Sequence, residues 1–269
     1  MQCGISTACM YPQDTSVSLR QLTAMRPGLL EVFLNTFREL DESYVSALRE
    51  TLSATNSRLT SLHPFSSGFE PFLFFTEYKG RFDDGVLLYR RFFEVCRQLG
   101  APLLVMHGDY RAKPGDMKFY AARFSELARI GAEEYGITLA QENVDRCRCG
   151  LSENILLLRE YTGDTVKFVL DVKQARRAGQ DVFEIARAMG PQNICHLHLS
   201  DEMEGKSCAL PGQGTFDFET TLRYLWRSGC RADAVIELYR DGFERPEQLV
   251  QAADWVDALM QKIEKEELL

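Results

Sequence analysis

The chain is poor in several things, and each scarcity removes a class of function. No apolar run approaches the ~18 residues of a membrane span. The first residues, MQCGISTACMYPQD, lack the basic start and long apolar stretch of a secretion signal, so a cytoplasmic location with no membrane partner is expected. Basic side chains are outnumbered, and the net charge of −8 opposes broad attraction to a phosphate backbone. Nucleic acid is therefore not an expected partner. No GxGxxG or Walker-type sequence occurs, so no nucleotide cofactor is expected. No Pro- or Ser-rich linker divides the 269 residues, and one domain over residues 1–269 is the simplest organisation. The eight cysteines are scattered along a chain large enough to form its own core, and are read as reduced thiols. Cys147-Arg148-Cys149 is tighter than the common zinc-knuckle spacing and has no second pair downstream.

What the chain does have is alternation. Short aliphatic runs near residues 2–7, 29–33, 58–63, 102–107, 137–142, 166–171, 194–199 and 234–238 read as strands. Amphipathic stretches near 17–26, 41–55, 82–99, 116–135, 152–161, 180–189, 217–228 and 246–267 read as helices. Gly100, Gly136 and Gly190 stand where helix-terminating residues are expected. Eight strands, each followed by a helix, favour an α/β fold of one kind: a single parallel eight-stranded (β/α)8 TIM barrel, with its site at the carboxyl ends of the strands. An open doubly wound sheet would more often show a glycine-rich turn after its first strand. The long connection from His63 to Asp84 is expected to cover the strand-end face.

The ligand-type side chains are not scattered. All four histidines, His63, His107, His196 and His198, fall at or within a residue or two of the downstream end of a strand-like run. Glu142, Asp171 and Glu237 do the same. In a barrel these ends converge, and strand alternation points His196 and His198 inward together, with Asp171 and Lys173 sharing a face. Glu142, Asp171, His198 and Glu237 offer three carboxylates and one imidazole. That set suits Mn²⁺, Co²⁺ or Zn²⁺, with Mg²⁺ also admissible, better than Ca²⁺. The competing reading is a metal-free polar network, in which three converging carboxylates would repel one another.

Most of the other residues carry more than one reading. His63 and His107 either hold a second metal or hydrogen-bond backbone and substrate hydroxyls. His196, one pleat deeper, is expected to be a hydrogen-bonded interior residue. Asp201 caps a turn, orients His198 or contacts substrate. Lys173 binds a substrate anion, acts as an acid, or replaces a cation's charge in a salt bridge. The aromatic run Phe65, Phe69, Phe72, Phe74, Phe75 and Tyr78 either closes over a sugar-sized ligand or packs on the rim or a second subunit of a homo-oligomer.

Over nearly its whole length the chain resembles the xylose isomerase-like TIM barrel superfamily, which includes sugar-phosphate isomerase/epimerase-like proteins, ketose 3-epimerases, hydroxypyruvate isomerase and relatives of endonuclease IV. The carriers are Ser61-Leu62-His63, Met106-His107-Gly108, Gln141-Glu142-Asn143, Leu170-Asp171-Val172, His198-Leu199-Ser200-Asp201, Pro211-Gly212-Gln213-Gly214 and Ile236-Glu237. The resemblance implies one divalent metal held by Glu142, Asp171, His198 and Glu237. It also implies that Glu142 and Glu237 are the catalytic bases of an isomerase or epimerase, moving a proton beside a carbonyl through a metal-stabilised enediolate. The expected partner is a small sugar, sugar phosphate or keto-polyol; a lyase would use the same proton abstraction.

The chain departs from the pattern in two places. Gln174 stands where the family often has a second histidine, and Lys206 and Cys208 fall where the endonucleases place an aspartate and a histidine for a third zinc. An endonuclease-type hydrolase is thereby disfavoured, although His63 and His107 match positions that bind the first zinc in those enzymes. A metal-free carbohydrate-binding barrel is the non-enzymatic alternative.

Overall fold

The computed structural model describes residues 1–25, 28–55, 57–112 and 115–268. Eight parallel strands close into a barrel: β1 (Cys3–Ser6), β2 (Leu29–Phe33), β3 (Arg58–His63), β4 (Leu103–Met106), β5 (Thr138–Glu142), β6 (Lys167–Asp171), β7 (Ile194–Leu199) and, after a two-stranded hairpin of β8 (Asp201–Met203) and β9 (Lys206–Ala209), β10 (Asp233–Ile236). Each barrel strand pairs with its neighbours in chain order, and β10 closes the ring on β1. This is the TIM barrel expected from the alternation of runs.

Ten helices accompany them: α1 (Thr15–Met25), α2 (Glu42–Thr55), α3 (Glu70–Leu73), α4 (Lys79–Leu99), α5 (Met117–Ile130), α6 (Ser152–Thr162), α7 (Val172–Arg177), α8 (Val182–Met189), α9 (Phe218–Arg227) and α10 (Glu247–Glu267), as counted among the described residues. The long ones bury one stripe. In α4 that stripe is Phe82, Tyr89, Phe92, Phe93, Cys96 and Leu99, at three- and four-residue spacing. Gly100 ends it in the left-handed conformation, φ 74°. The expected helix over 116–135 is real but not uniform: α5 gives way to a π-helical turn at Gly131–Tyr135. The end of the first expected helix, at Arg26, lies outside the described residues.

Four elements were not anticipated: α3 inside the long connection, the hairpin strands β8 and β9, and α7. The hairpin β8–β9 falls in DEMEGKSCA, which has no long apolar run to announce it. Helix α7 begins directly after the last residue of β6. The final barrel strand stops at Ile236, so Glu237 and Leu238 lie just beyond it. No described helix is long and apolar enough to cross a membrane.

The barrel interior departs from the usual filling of branched aliphatic side chains. Val105, Ala140 and Val169 form a small apolar set apart from the main core. Above it the interior is polar: Glu31, Ser61, His63, Glu142, Asp171, His196 and His198 are all buried. Register sets the heights of the upper residues, because Asp171 lies opposite His198 and His198 opposite Val235, two residues before Glu237.

Candidate metal centre

Glu142 and Asp171 are the last residues of their strands, His198 the last but one, and Glu237 the first residue past β10. One ligand-type atom from each of the four lies within 4.8 Å of the others. His198 Nδ1 sits 3.2 Å from Glu142 Oε1, 3.8 Å from Glu237 Oε2 and 3.9 Å from Asp171 Oδ2. Glu142 Oε2 and Asp171 Oδ2 are buried and make no well-aligned hydrogen bond, although His107 Nε2 stands 2.9 Å from the first and Lys173 Nζ 3.5 Å from the second. Three buried carboxylates converging on one imidazole repel one another unless a cation meets them, so this donor set fits a divalent ion.

Two further groups share these residues. His63, His107 and Glu142 form one, with the Nε2 atoms of the two imidazoles 2.7 Å apart and His107 Nε2 2.9 Å from Glu142 Oε2. Glu31, His63 and His198 form the other, deeper in the barrel. His63 lies between the proposed bases, with Nδ1 3.5 Å from Glu237 Oε1 and Nε2 3.8 Å from Glu142 Oε2.

The charges act on one another strongly. Burial works to raise the Glu142 carboxyl, but His107 and His198 hold it well below the ordinary range. Glu237 is likewise held low against burial, by Lys173 and His198. Asp171 goes the other way: burial, joined by Glu142 and Glu237, lifts it to about 6 despite Lys173. Burial opposes protonation of His63, yet Glu237 and Glu31 raise it to about 10. His196 differs, lowered by burial.

Lys173, from α7, is buried with its Nζ 2.8 Å from Glu237 Oε2 and 3.5 Å from Asp171 Oδ2. Its ring neighbour is Tyr239, 5.2 Å away. Gln174 does not face the ligands with its amide: its backbone N–H donates to Asp171 Oδ1, and its Oε1 accepts from the Asp145 N–H. Asp201 is withdrawn from the cavity, its carboxylate taking the backbone N–H groups of Glu202, Gly212, Gly214 and Phe216. Cys208 is buried with Sγ 3.8 Å from the Glu237 carbonyl; the Lys206 side chain lies outside the described residues.

A cavity of about 320 Å³ opens above the cluster and is lined by His63, His107, Glu142, Lys173, Gln174, Glu237, Arg146, Tyr11, Phe33 and Tyr239, among others. That is at the small end of ligand pockets, which run from roughly 300 to 1,000 Å³. A groove of about 400 Å³ beside α5 is lined by Phe124, Arg129, Glu133 and Lys167; Arg129 and Glu133 pair with each other at 2.6 Å. From the aromatic run, Phe74 and Phe75 are buried, against Tyr89 and Tyr120 respectively. Phe69, Phe72 and Tyr78 are exposed, and none of the six lines the cavity.

One residue of the cluster was not singled out from sequence. Glu31 is wholly buried in the middle of LLEVF, and Ser61 donates to it. The available signal was an acid inside an apolar strand, in phase with cavity-lining Phe33 but one pleat deeper.

A family model described as xylose isomerase-like TIM barrel matches residues 25–259. Uncharacterized proteins of Mycobacterium tuberculosis and Mycobacterium bovis are 24% identical over 259 residues, covering 87% of this chain and 88% of theirs. Among solved structures, a D-tagatose 3-epimerase-like protein superposes with a TM-score of 0.80 at 16% identity, covering 99% of both chains. An L-ribulose 3-epimerase gives 0.77 at 15%, and the IOLI protein with a binding zinc atom 0.71 at 18%; each comparison covers 99% of this chain and 97% of the other.

Proposed function

The chain belongs to the xylose isomerase-like TIM barrel family, and from that premise we propose that it is a divalent-metal-dependent isomerase or epimerase of a small sugar, sugar phosphate or related keto-polyol. The observation that carries this reading is the convergence of Glu142, Asp171, His198 and Glu237 beneath a sugar-sized cavity. These four residues would hold the ion. Bound there, a divalent cation supplies a Lewis acid that stabilises negative charge developing on substrate oxygens.

The chain's own residues do the rest. A carbon next to a carbonyl is a weak acid, so a positioned carboxylate must receive its proton. Glu142 and Glu237 both line the cavity, and their lowered pKa values keep them ionised as acceptors. One takes the proton and the other returns one. Lys173 fixes Glu237 by its 2.8 Å bond, and Arg146 at the rim supplies a positive charge for a substrate anion. Neighbours among the solved structures named as a 3-epimerase and a 3-epimerase-like protein support the substrate class.

A second reading rests on His63, His107 and Glu142, which could hold a second ion and serve a hydrolase. One experiment separates them. Protein loaded with Mn²⁺ or Co²⁺ is incubated with ketoses and their phosphates in D₂O, and in parallel with an abasic duplex. We expect deuterium at the carbon beside the carbonyl, lost in Glu142→Gln and Glu237→Gln, and no strand cleavage. Strand cleavage without exchange would overturn the isomerase reading in favour of the hydrolase.

A further inference from the structure

Glu31 is an acid placed where a barrel ordinarily packs an aliphatic side chain. It lies mid-strand in β2 with no exposed surface. Its Oε2 accepts from Ser61 Oγ at 2.7 Å, and the Nε2 atoms of His198 and His196 stand 3.1 and 3.3 Å away. Its Oε1 lies 3.7 Å from His63 Nδ1. It does not line the cavity above, so it does not meet substrate. A hydrophobic side chain of similar size would fill the space without the desolvation cost of a carboxylate.

The two faces of the His198 ring explain the placement. Nδ1 looks up at Glu142, Asp171 and Glu237, while Nε2 looks down at Glu31. An imidazole that gives its Nδ1 lone pair to a cation must carry its proton on Nε2, and that proton needs an acceptor. An ionised carboxylate is acceptor-only, so Glu31 selects this tautomer and fixes the rotation of the ring about its attachment. Ser61 and His196 hold the carboxylate in turn.

We propose that Glu31 is a positioning residue: it holds the Nε2 proton of His198, turns the Nδ1 lone pair toward Glu142, Asp171 and Glu237, and thereby sets the cation affinity of the site without touching cation or substrate. This rests on the reading of His198 as a ligand. It makes Glu31 part of the centre's function although it is one layer below it.

The test uses Zn²⁺ and Mn²⁺ alone, titrated into the chelator-stripped full chain by calorimetry, with the folded fraction fixed by circular dichroism. Glu31→Gln keeps the shape and removes the charge, and is expected to weaken binding by about 10- to 100-fold. A purely structural role would lower thermal stability and leave the affinity of the folded fraction within twofold; that result overturns the inference. Should Glu31→Gln fail to fold, ¹⁵N-histidine NMR of the zinc-loaded wild type decides alone. A proton on Nε2 and zinc on Nδ1 of His198 is the expected spectrum, and the opposite tautomer contradicts it. Wild-type protein that binds no ion overturns both this inference and the reading it rests on, whereas wild-type binding with an unchanged Glu31→Gln overturns only the inference.

Discussion

Lys173 Nζ donates to Glu237 Oε2 across 2.8 Å while standing 3.5 Å from Asp171 Oδ2. A buried ammonium thus leans on two of the four proposed cation ligands. Two unit charges ~4 Å apart interact by about 4 kcal/mol at an effective dielectric near 20, so ammonium and cation compete measurably. Lys173→Met is expected to bind Mn²⁺ at least tenfold more tightly, a change of ~1.4 kcal/mol, while turnover falls. The same variant, freed of metal, should melt below wild type because two carboxylates lose their partner. Calorimetric titration checks the first effect and thermal melts in chelator the second. Unchanged or weaker binding would show that Lys173 does not oppose the ion.

The thiols should be inert in the native protein. Cys3, Cys9, Cys96, Cys147, Cys149, Cys208 and Cys230 are buried. Burial pushes Cys149 up to about 12, and does the same to half-buried Cys195. Because the thiolate is the reactive form, at most one of the eight thiols should react with a disulfide reagent within minutes at pH 8. All eight should react after denaturation. Rapid native reaction of Cys147 or Cys149 would contradict their burial.

Asp201 should matter to stability rather than to ion binding. Its two oxygens collect four backbone N–H groups from Glu202, Gly212, Gly214 and Phe216, at 2.8 to 3.0 Å. A Cβ at Gly214 would come within 1.9 Å of the Glu202 carbonyl, which is how closely the loop is drawn in. Asp201→Ala strands those donors and should cost about 2–4 kcal/mol in denaturant titrations. Zinc affinity of the folded fraction should stay within about twofold of wild type. A large loss of affinity with little loss of stability would place Asp201 in the site instead.

Asp14 links stability to pH. It precedes α1 and its Oδ1 accepts from the backbone N–H groups of Ser16 and Val17, at 2.9 and 3.3 Å. Burial acts to raise its carboxyl, but bonds from Ser16 and Tyr44 outweigh that and hold it below the ordinary value. A carboxyl lowered by folding stabilises the native state above its unfolded value, near 4, and that stabilisation is lost as the pH falls through the folded one. Asp14→Ala should cost roughly 1 kcal/mol at pH 7 and close to nothing near pH 2. Denaturant titrations at the two pH values measure it; an equal penalty at both would rule out the charge.

Much of the fold was legible because its signals are local. Runs such as RLTSLH and ICHLHL match β3 and β7 residue for residue, since strand length and apolar content suffice to mark them. The strand-end residues Glu142, Asp171, His198 and Glu237 were legible for the same reason, and the barrel brings them together. Glu31 was not, because the value of a buried acid depends on partners 30 to 167 residues away, in Ser61 and His198. The function of Asp201 was half legible: its capping role follows from type, but its four donors come from a loop whose path sequence does not give. Helix α7 escaped because Asp171 both ends β6 and caps α7 through the Gln174 N–H, leaving no connecting segment to mark the change.

The central claim is that this barrel is built around a divalent ion held by Glu142, Asp171, His198 and Glu237. Elemental analysis of protein purified without chelator or affinity metal, then supplied with Mn²⁺, Co²⁺ or Zn²⁺ and dialysed, tests it most directly. About one equivalent or more is expected in the wild type, lost in the Glu142→Gln, Glu237→Gln double variant while the fold is retained. No retained ion in the wild type, or equal retention in the double variant, would contradict it.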